Sequence, residues 1–143
     1  MIRFLQPREK RRQTEFNAAK IKLLYLYVMI PPPFNEQLWL QMELNFTERF
    51  GQQPSLDDIL VFIGILEAGM PPKKLTAPEK ENLKQMAICT ILAPAKYYEL
   101  IWVDDTGRPH FRQLEHLPQM SIEAHNDFLK AYILQYAQKN KLT

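Results

Sequence analysis

The sequence has little of several features on which particular protein classes depend. Its single cysteine excludes an internal disulfide and is typical of a reducing compartment. The longest apolar runs, 23–30 and 59–66, have eight residues each, whereas a membrane-spanning helix needs about 20. The first twelve residues lack the apolar core of a secretory signal. We therefore expect a cytoplasmic protein that does not enter a membrane.

Glycine and valine are also scarce, with four and three residues, whereas there are eleven prolines. The scarcity of valine and the small number of long strand patterns favour helices over strands. Hydrophobic residues make up 46% of the 143 positions, which is ordinary for a globular chain. The length suits one domain, predicted over 1–143 with a basic N-terminal arm at 1–12.

Prolines and capping residues divide the chain into about five predicted helices. The last four follow side chains that commonly cap helices, and the first four end at or near a proline or glycine. The first has an apolar face at three- and four-residue spacing. The predicted helices are 13–30, with Phe16, Ala19, Leu23, Tyr27 and Ile30 on that face; 36–50 after Asn35; 55–69 from Ser55; 77–93 after Thr76; and a last helix from Ser121.

The helix at 55–69 is apolar on every side between Ile59 and Leu66. A helix without a polar face is expected at the centre of a domain, surrounded by the others. We therefore predict a mainly α fold, in which about five helices pack around this central helix.

One β-hairpin is predicted at 97–114, between the fourth and fifth helices. An aromatic and β-branched run is followed by a four-residue loop at 104–107 and a second run. Pairing Glu99 with Arg112 and Leu100 with Phe111 separates a mostly apolar face from a polar one. Because an isolated two-stranded ribbon is marginal in water, we expect the apolar face, which includes Trp102, to cover the helical bundle.

Basic residues are concentrated near the start of the chain. Residues 1–22 hold seven basic and two acidic side chains, whereas 23–143 hold eleven basic and fourteen acidic ones. The candidate basic arm, with Arg8, Lys10, Arg11 and Arg12, could bind nucleic-acid phosphates or an acidic lipid surface. The simpler alternatives are that it is a solvated helix start or a frayed terminus, or that it lies against the acidic remainder of the chain.

A second basic group lies in the hairpin. Alternation places Arg108, His110 and Arg112 on one strand face, where they could bind a phosphate, a carboxylate or a partner. The alternative is that Glu99 neutralises part of this row and that the exposed cations prevent edge pairing.

A helix-turn-helix interpretation of the second and third helices fails on charge. The helix that would enter the DNA groove is the apolar one, and Asp57 and Asp58 lie at its leading end. Nucleic acid therefore remains an alternative only through the basic residues, mainly the arm.

No pattern in the sequence indicates a cofactor, a metal site or a catalytic residue. His110, His116 and His125 match no short ligand motif. Cys89 lies on an apolar helix without a nearby cation, so we expect it to pack in the core. An enzyme or metal protein would need distant histidines and carboxylates to converge.

Three segments carry a resemblance to a group of small uncharacterised bacterial proteins. The segments are Pro54–Gly64 (PSLDDILVFIG), Ala87–Leu92 (AICTIL) and Tyr97–Leu100 (YYEL), the last leading to Gly107–Phe111 (GRPHF). The similarity covers about 35–135. It implies a bacterial, cytoplasmic protein and brings no activity or functional residue with it.

These observations favour a non-enzymatic binding or protein-interaction module, which could associate with itself. Trp39, Trp102, Tyr97 and Tyr98 supply aromatic side chains of the kind enriched at interfaces, although all four could equally lie in the core. The alternatives are a nucleic-acid accessory protein that uses the basic arm, and an enzyme or metal protein.

Overall fold

The computed structural model describes residues 3–71 and 73–142, with the backbone alone described at 25–29. Within these residues the chain is 60% helical and forms five helices and one two-stranded antiparallel sheet, which confirms the predicted fold class. The elements in chain order are α1 (Pro7–Met29), α2 (Glu36–Phe50), α3 (Leu56–Ala68), α4 (Ala77–Leu92), β1 (Tyr98–Val103), β2 (Pro109–Gln113) and α5 (Ile122–Lys139).

The chain divides into two compact units, Met1–Ile30 and Pro31–Thr143. The first consists largely of α1, which begins six residues earlier than predicted. Pro7 suits the first turn of a helix because its missing N–H needs no partner there. The Glu9 carboxylate accepts a hydrogen bond from the Gln6 backbone N–H at 2.9 Å, which further stabilises this start.

The predicted apolar face of α1 is open to solvent. Phe16 and Leu23 are more than 60% exposed, and Ile30 just beyond the helix is equally open. The side chain of Tyr27, predicted on the same face, lies outside the described residues.

Side-chain caps begin the other four helices where the sequence predicted them. The Asn35, Thr76 and Ser121 side chains each accept a hydrogen bond from a backbone N–H in the first turn of α2, α4 and α5. Ser55 and Asp58 form a reciprocal capping box at α3, with distances of 2.9 and 3.1 Å. Such caps satisfy backbone donors that the helix itself leaves without partners.

Helices α3 and α4 lie in close contact at Gly64. A side-chain Cβ at this position would overlap the carbonyl group of Leu83 on α4. Leu83 itself is buried, as is Ala87 one turn later. The absence of a side chain at Gly64 therefore sets the distance between the two helices.

The most continuous buried segment belongs to α5, where every residue from Phe128 to Leu134 except the half-buried Lys130 is buried. Helix α3 buries one face, including Ile59, Leu60 and Ile63, whereas Leu66 is 44% exposed. Enclosure of α3 is thus incomplete, because its neighbours cover only part of its apolar circumference.

Aromatic contacts connect α2 to the rest of the second unit. Phe34, just before the helix, packs against Trp39 with ring centroids 6.1 Å apart, as a hydrophobic staple requires. Lys130 of α5 lies over the Trp39 ring at 5.3 Å. At the other end, the Phe46 and Phe50 rings each lie 5.5 Å from the Phe62 ring of α3.

Candidate interaction surface

The hairpin is anchored at its base. Tyr97, which precedes β1, is buried, and its ring packs on Phe128 of α5 at 5.8 Å. Its carbonyl oxygen accepts a hydrogen bond from the Leu114 N–H at 2.8 Å. These contacts fix the start of the ribbon against the helices, while β1 from Glu99 onward is exposed.

The predicted register holds near the base and changes towards the turn. Glu99 pairs with Arg112 and Leu100 with Phe111, as predicted. An irregularity between Leu100 and Trp102 then shifts the pairing by one residue, so that Trp102 lies opposite His110. Such an extra residue in one strand is a β-bulge, which re-aims the side chains that follow it.

The bulge transfers Trp102 to the other face of the ribbon. Since residues directly opposite each other share a face, Trp102 joins His110, Glu99 and Arg112, all of which are exposed. We call these four residues the outer hairpin face. The prediction that Trp102 belongs to the face covering the helices is therefore wrong, because it assumed uninterrupted alternation.

The opposite face of the hairpin, which was predicted to cover the helices, does so only in part. Tyr98, Pro109 and Phe111 are half-buried on this side, whereas Leu100 and Val103 are about half exposed. The hairpin thus covers the bundle with its base and β2, while the end of β1 extends into solvent.

A stacked pair forms the centre of the outer hairpin face. The rings of Trp102 and His110 lie 4.6 Å apart and are inclined by only 13°. His110 Nε2 contacts the Asp104 carboxylate at 2.8 Å, which holds the imidazole in this position. Trp102 remains 55% exposed, so one face of a rigidly held indole is available to solvent.

Asp104 organises the turn that supports this pair. Its carboxylate accepts hydrogen bonds from the Thr106 hydroxyl at 2.6 Å and from the backbone N–H groups of Thr106 and Arg108. The Thr106 hydroxyl, followed by His110 and the Arg108 backbone, lowers the pKa of this carboxyl well below its ordinary value. Gly107, with φ of 85°, supplies the left-handed conformation predicted for this loop.

The three predicted hairpin cations are only partly brought together. His110 and Arg112 share the outer hairpin face, but each contacts a carboxylate, Asp104 and Glu99 respectively. Arg108 lies outside β2, one residue before it begins. Its guanidinium lies 3.7 Å from the Met70 sulfur. The row thus carries both signs of charge, and its role as an anion or partner site stays a prediction.

The structure separates the four aromatic residues considered for an interface. Trp39 and Tyr97 are 5% and 2% exposed and belong to the core, and Tyr98 is half-buried. Trp102 alone of these four is largely exposed. Sequence reasoning did not distinguish it, because the consecutive apolar residues at 100–103 give no indication of a bulge.

The residues of the candidate basic arm lie in the first two turns of α1. Arg8, Lys10, Arg11 and Arg12 are all exposed. Arg11 forms an ion pair with Glu15 at 3.0 Å. Met1 and Ile2, at the start of the predicted arm, lie outside the described residues.

The histidines and the cysteine do not form a centre in the described part of the chain. No group of three His, Cys, Asp or Glu side chains is placed there to share a metal ion. His116 is exposed and His125 is half-buried in the first turn of α5. Cys89 is half-buried rather than fully in the core, and burial raises the pKa of its thiol, whereas a reactive thiol needs a lowered one.

A groove of about 490 Å³ lies between α2, α3 and the end of α5. Its apolar part includes the rings of Phe46, Phe50 and Phe62. Its charged side chains, Glu48, Arg49 and Lys141, are all exposed. Among the described lining residues, no charged side chain is buried.

Helices long and apolar enough to cross a bilayer are absent from the described residues. The chain matches no protein-family model, no curated protein and no solved structure. The resemblance to small bacterial proteins accordingly stays a prediction, as does a bacterial origin.

Proposed function

We propose that the protein is a non-enzymatic protein-interaction module that associates with a second copy of itself through the outer hairpin face. The exposed Trp102 ring is the observation that supports this proposal. Tryptophan is prominent among the residues that dominate binding energy at interfaces. The stack on His110 and the contact of His110 with Asp104 hold the ring in place before binding, which reduces the conformational entropy lost on association.

The backbone edges of the hairpin are poorly suited to strand addition. The bulge interrupts β1, and β2 carries Arg112 and begins with Pro109, which has no N–H to donate. Bulges, charges and prolines are known to prevent edge-to-edge pairing. Contact through side chains of the outer face is therefore favoured over extension of the sheet.

The charges around Trp102 favour an identical partner. Arg112 lies beside Glu99, and His110 lies beside Asp104, so each carboxylate is adjacent to a basic group. A two-fold contact places the same patch on both copies. Glu99 of one copy can then face Arg112 of the other, while the two Trp102 rings fill the centre.

Sedimentation velocity across micromolar concentrations tests the proposal. We expect wild-type protein to form a dimer reversibly, and Trp102→Ala to weaken the dimer at least about tenfold, as loss of a dominant interface residue does. Ile122→Ala is the matched control, because Ile122 is 83% exposed and lies on α5. Circular dichroism checks that both variants keep the helical content of the wild type.

Tryptophan fluorescence supplies a second measurement. In a Trp39→Phe background Trp102 is the only indole, and its emission should shift to shorter wavelength as the dimer forms. A monomer at every concentration would overturn self-association. A dimer that Trp102→Ala leaves unchanged would overturn the assignment of the outer hairpin face.

A further inference from the structure

Helix α1 has two halves of different chemistry. The first half is rich in arginine and lysine, and the second, from Ile21 onward, is almost entirely apolar. The described large apolar side chains of the helix are all more than half exposed: Phe16, Ile21, Leu23 and Leu24. Contiguous exposed apolar side chains usually mark a surface that another molecule covers.

Most of the described cations of the first unit form no ion pair with a described carboxylate. Arg3 and Arg11 are paired with Glu9 and Glu15. The other basic residues make no ion pair with any described residue: Arg8, Lys10, Arg12, Lys20 and Lys22. The unit therefore carries several positive charges that its own carboxylates do not neutralise.

Cations and apolar groups alternate along one side of α1. Arg12, Phe16, Lys20 and Leu23 follow one another at intervals of four, four and three residues, which places them on one face. Long basic side chains can keep their charge in water while their stems lie along apolar surface. This face is complementary to a surface on which negative charges and hydrocarbon lie next to each other.

We infer that α1 binds along the surface of a lipid bilayer that contains anionic lipids. Lipid phosphates satisfy the cations, and the boundary of the acyl chains receives Phe16 and Leu23. Duplex nucleic acid would satisfy the cations and leave Phe16 and Leu23 in water. A second α1 would cover the apolar residues, but a parallel pair would place its cations side by side.

Vesicle co-sedimentation of the full chain tests this inference. We expect binding to phosphatidylcholine vesicles that contain phosphatidylglycerol, and none to vesicles of phosphatidylcholine alone. The double variant Arg12→Glu/Lys20→Glu should bind at least about tenfold more weakly, because each basic residue near an anionic surface contributes to binding. Phe16→Ser/Leu23→Ser should reduce binding by a similar factor even at low salt.

Matched controls come from the second unit. Lys80→Glu reverses an exposed charge on α4, and Leu44→Ser removes an apolar side chain that is 58% exposed on α2. Neither should change vesicle binding. Thermal unfolding checks that all four variants remain folded.

Three results would overturn the inference. The first is no binding to phosphatidylglycerol vesicles at low salt. The second is binding that Phe16→Ser/Leu23→Ser leaves intact, since the contact would then be purely electrostatic. The third is duplex DNA binding that is tighter than vesicle binding and is lost in Arg12→Glu/Lys20→Glu, which would identify nucleic acid as the partner. None of these depends on dimer formation through the hairpin.

Discussion

Two tyrosines one turn apart on α5 illustrate how a single hydroxyl group affects stability. The Tyr136 hydroxyl donates a hydrogen bond to the Glu67 carboxylate of α3 at 2.5 Å. The Tyr132 hydroxyl is buried and has no hydrogen-bond partner within the described residues. Burial, together with the charge of Tyr97, raises the pKa of Tyr132 to about 12. The Tyr136 hydroxyl thus joins two helices, whereas burial of the Tyr132 hydroxyl costs desolvation free energy that no hydrogen bond to a described residue offsets.

The two phenylalanine variants should therefore change stability in opposite directions. Tyr136→Phe leaves Glu67 without its donor and should lower the free energy of unfolding by about 1–2 kcal/mol. Tyr132→Phe removes an unpartnered polar group and should raise it by about 1 kcal/mol. Urea unfolding followed by circular dichroism measures both. Equal destabilisation by the two variants would show that Tyr132 has a partner in solution.

The Asp104 carboxylate should make the stability of the hairpin depend on pH in the acid range. Its pKa is lowered in the folded protein, mainly by the Thr106 hydroxyl and then by His110. A carboxyl with a lowered folded pKa stabilises the fold above its ordinary value of about 4, and this stabilisation is lost as the pH falls below that value. We expect the Trp102 signal in near-ultraviolet circular dichroism to weaken over this acid range.

Asp104→Asn is the control for this titration. Asparagine keeps the shape of the side chain but cannot ionise, so the acid-dependent step should disappear. The Trp102 signal should then already be reduced at neutral pH, because His110 loses its charged partner. A wild-type acid titration that persists in Asp104→Asn would show that another carboxyl is responsible.

At the scale of the element, Gly64 controls the packing of α3 against α4. Alanine is usually better than glycine in a helix by about 1 kcal/mol, which alone would make Gly64→Ala stabilising. The overlap with the Leu83 carbonyl reverses the sign, since two backbones would have to move apart. We expect a net loss of about 1–3 kcal/mol, as for other overpacked cores.

Thermal unfolding of Gly64→Ala tests this expectation. Leu66→Ala, on the exposed side of the same helix, serves as the control and should lower the midpoint far less. If Gly64→Ala raised the midpoint, the two helices would be further apart than the structure has them.

Helices and strand pairings were predictable from the sequence where the interactions that define them join residues close together in the chain. Asn35, Ser55, Thr76 and Ser121 each cap a helix within three residues of chain, so their role does not depend on tertiary structure. The hairpin pairing of Glu99 with Arg112 was also predictable, because a shift would mix apolar and polar faces. The bulge after Leu100 was not, since residues 100–103 are all apolar and fit either face.

At the scale of the whole molecule, the interior was easier to predict than the surface. Burial imposes a period on the sequence, and Leu83, Ala87 and Ile91 of α4 show it at four-residue spacing. Exposed positions follow no such period, so the sequence alone does not separate the exposed Trp102 from the buried Trp39. The exposure that the fold gives Trp102, rather than its sequence context, therefore distinguishes it as a candidate interaction residue.

The two surfaces proposed for binding differ in the way that their charges are arranged. On the outer hairpin face each cation lies beside a carboxylate, which suits a partner of the same composition. On α1 the cations outnumber the carboxylates and adjoin exposed apolar side chains, which suits a partner that is both anionic and apolar. Because the two surfaces belong to different units and share no residue, loss of either should leave binding by the other intact.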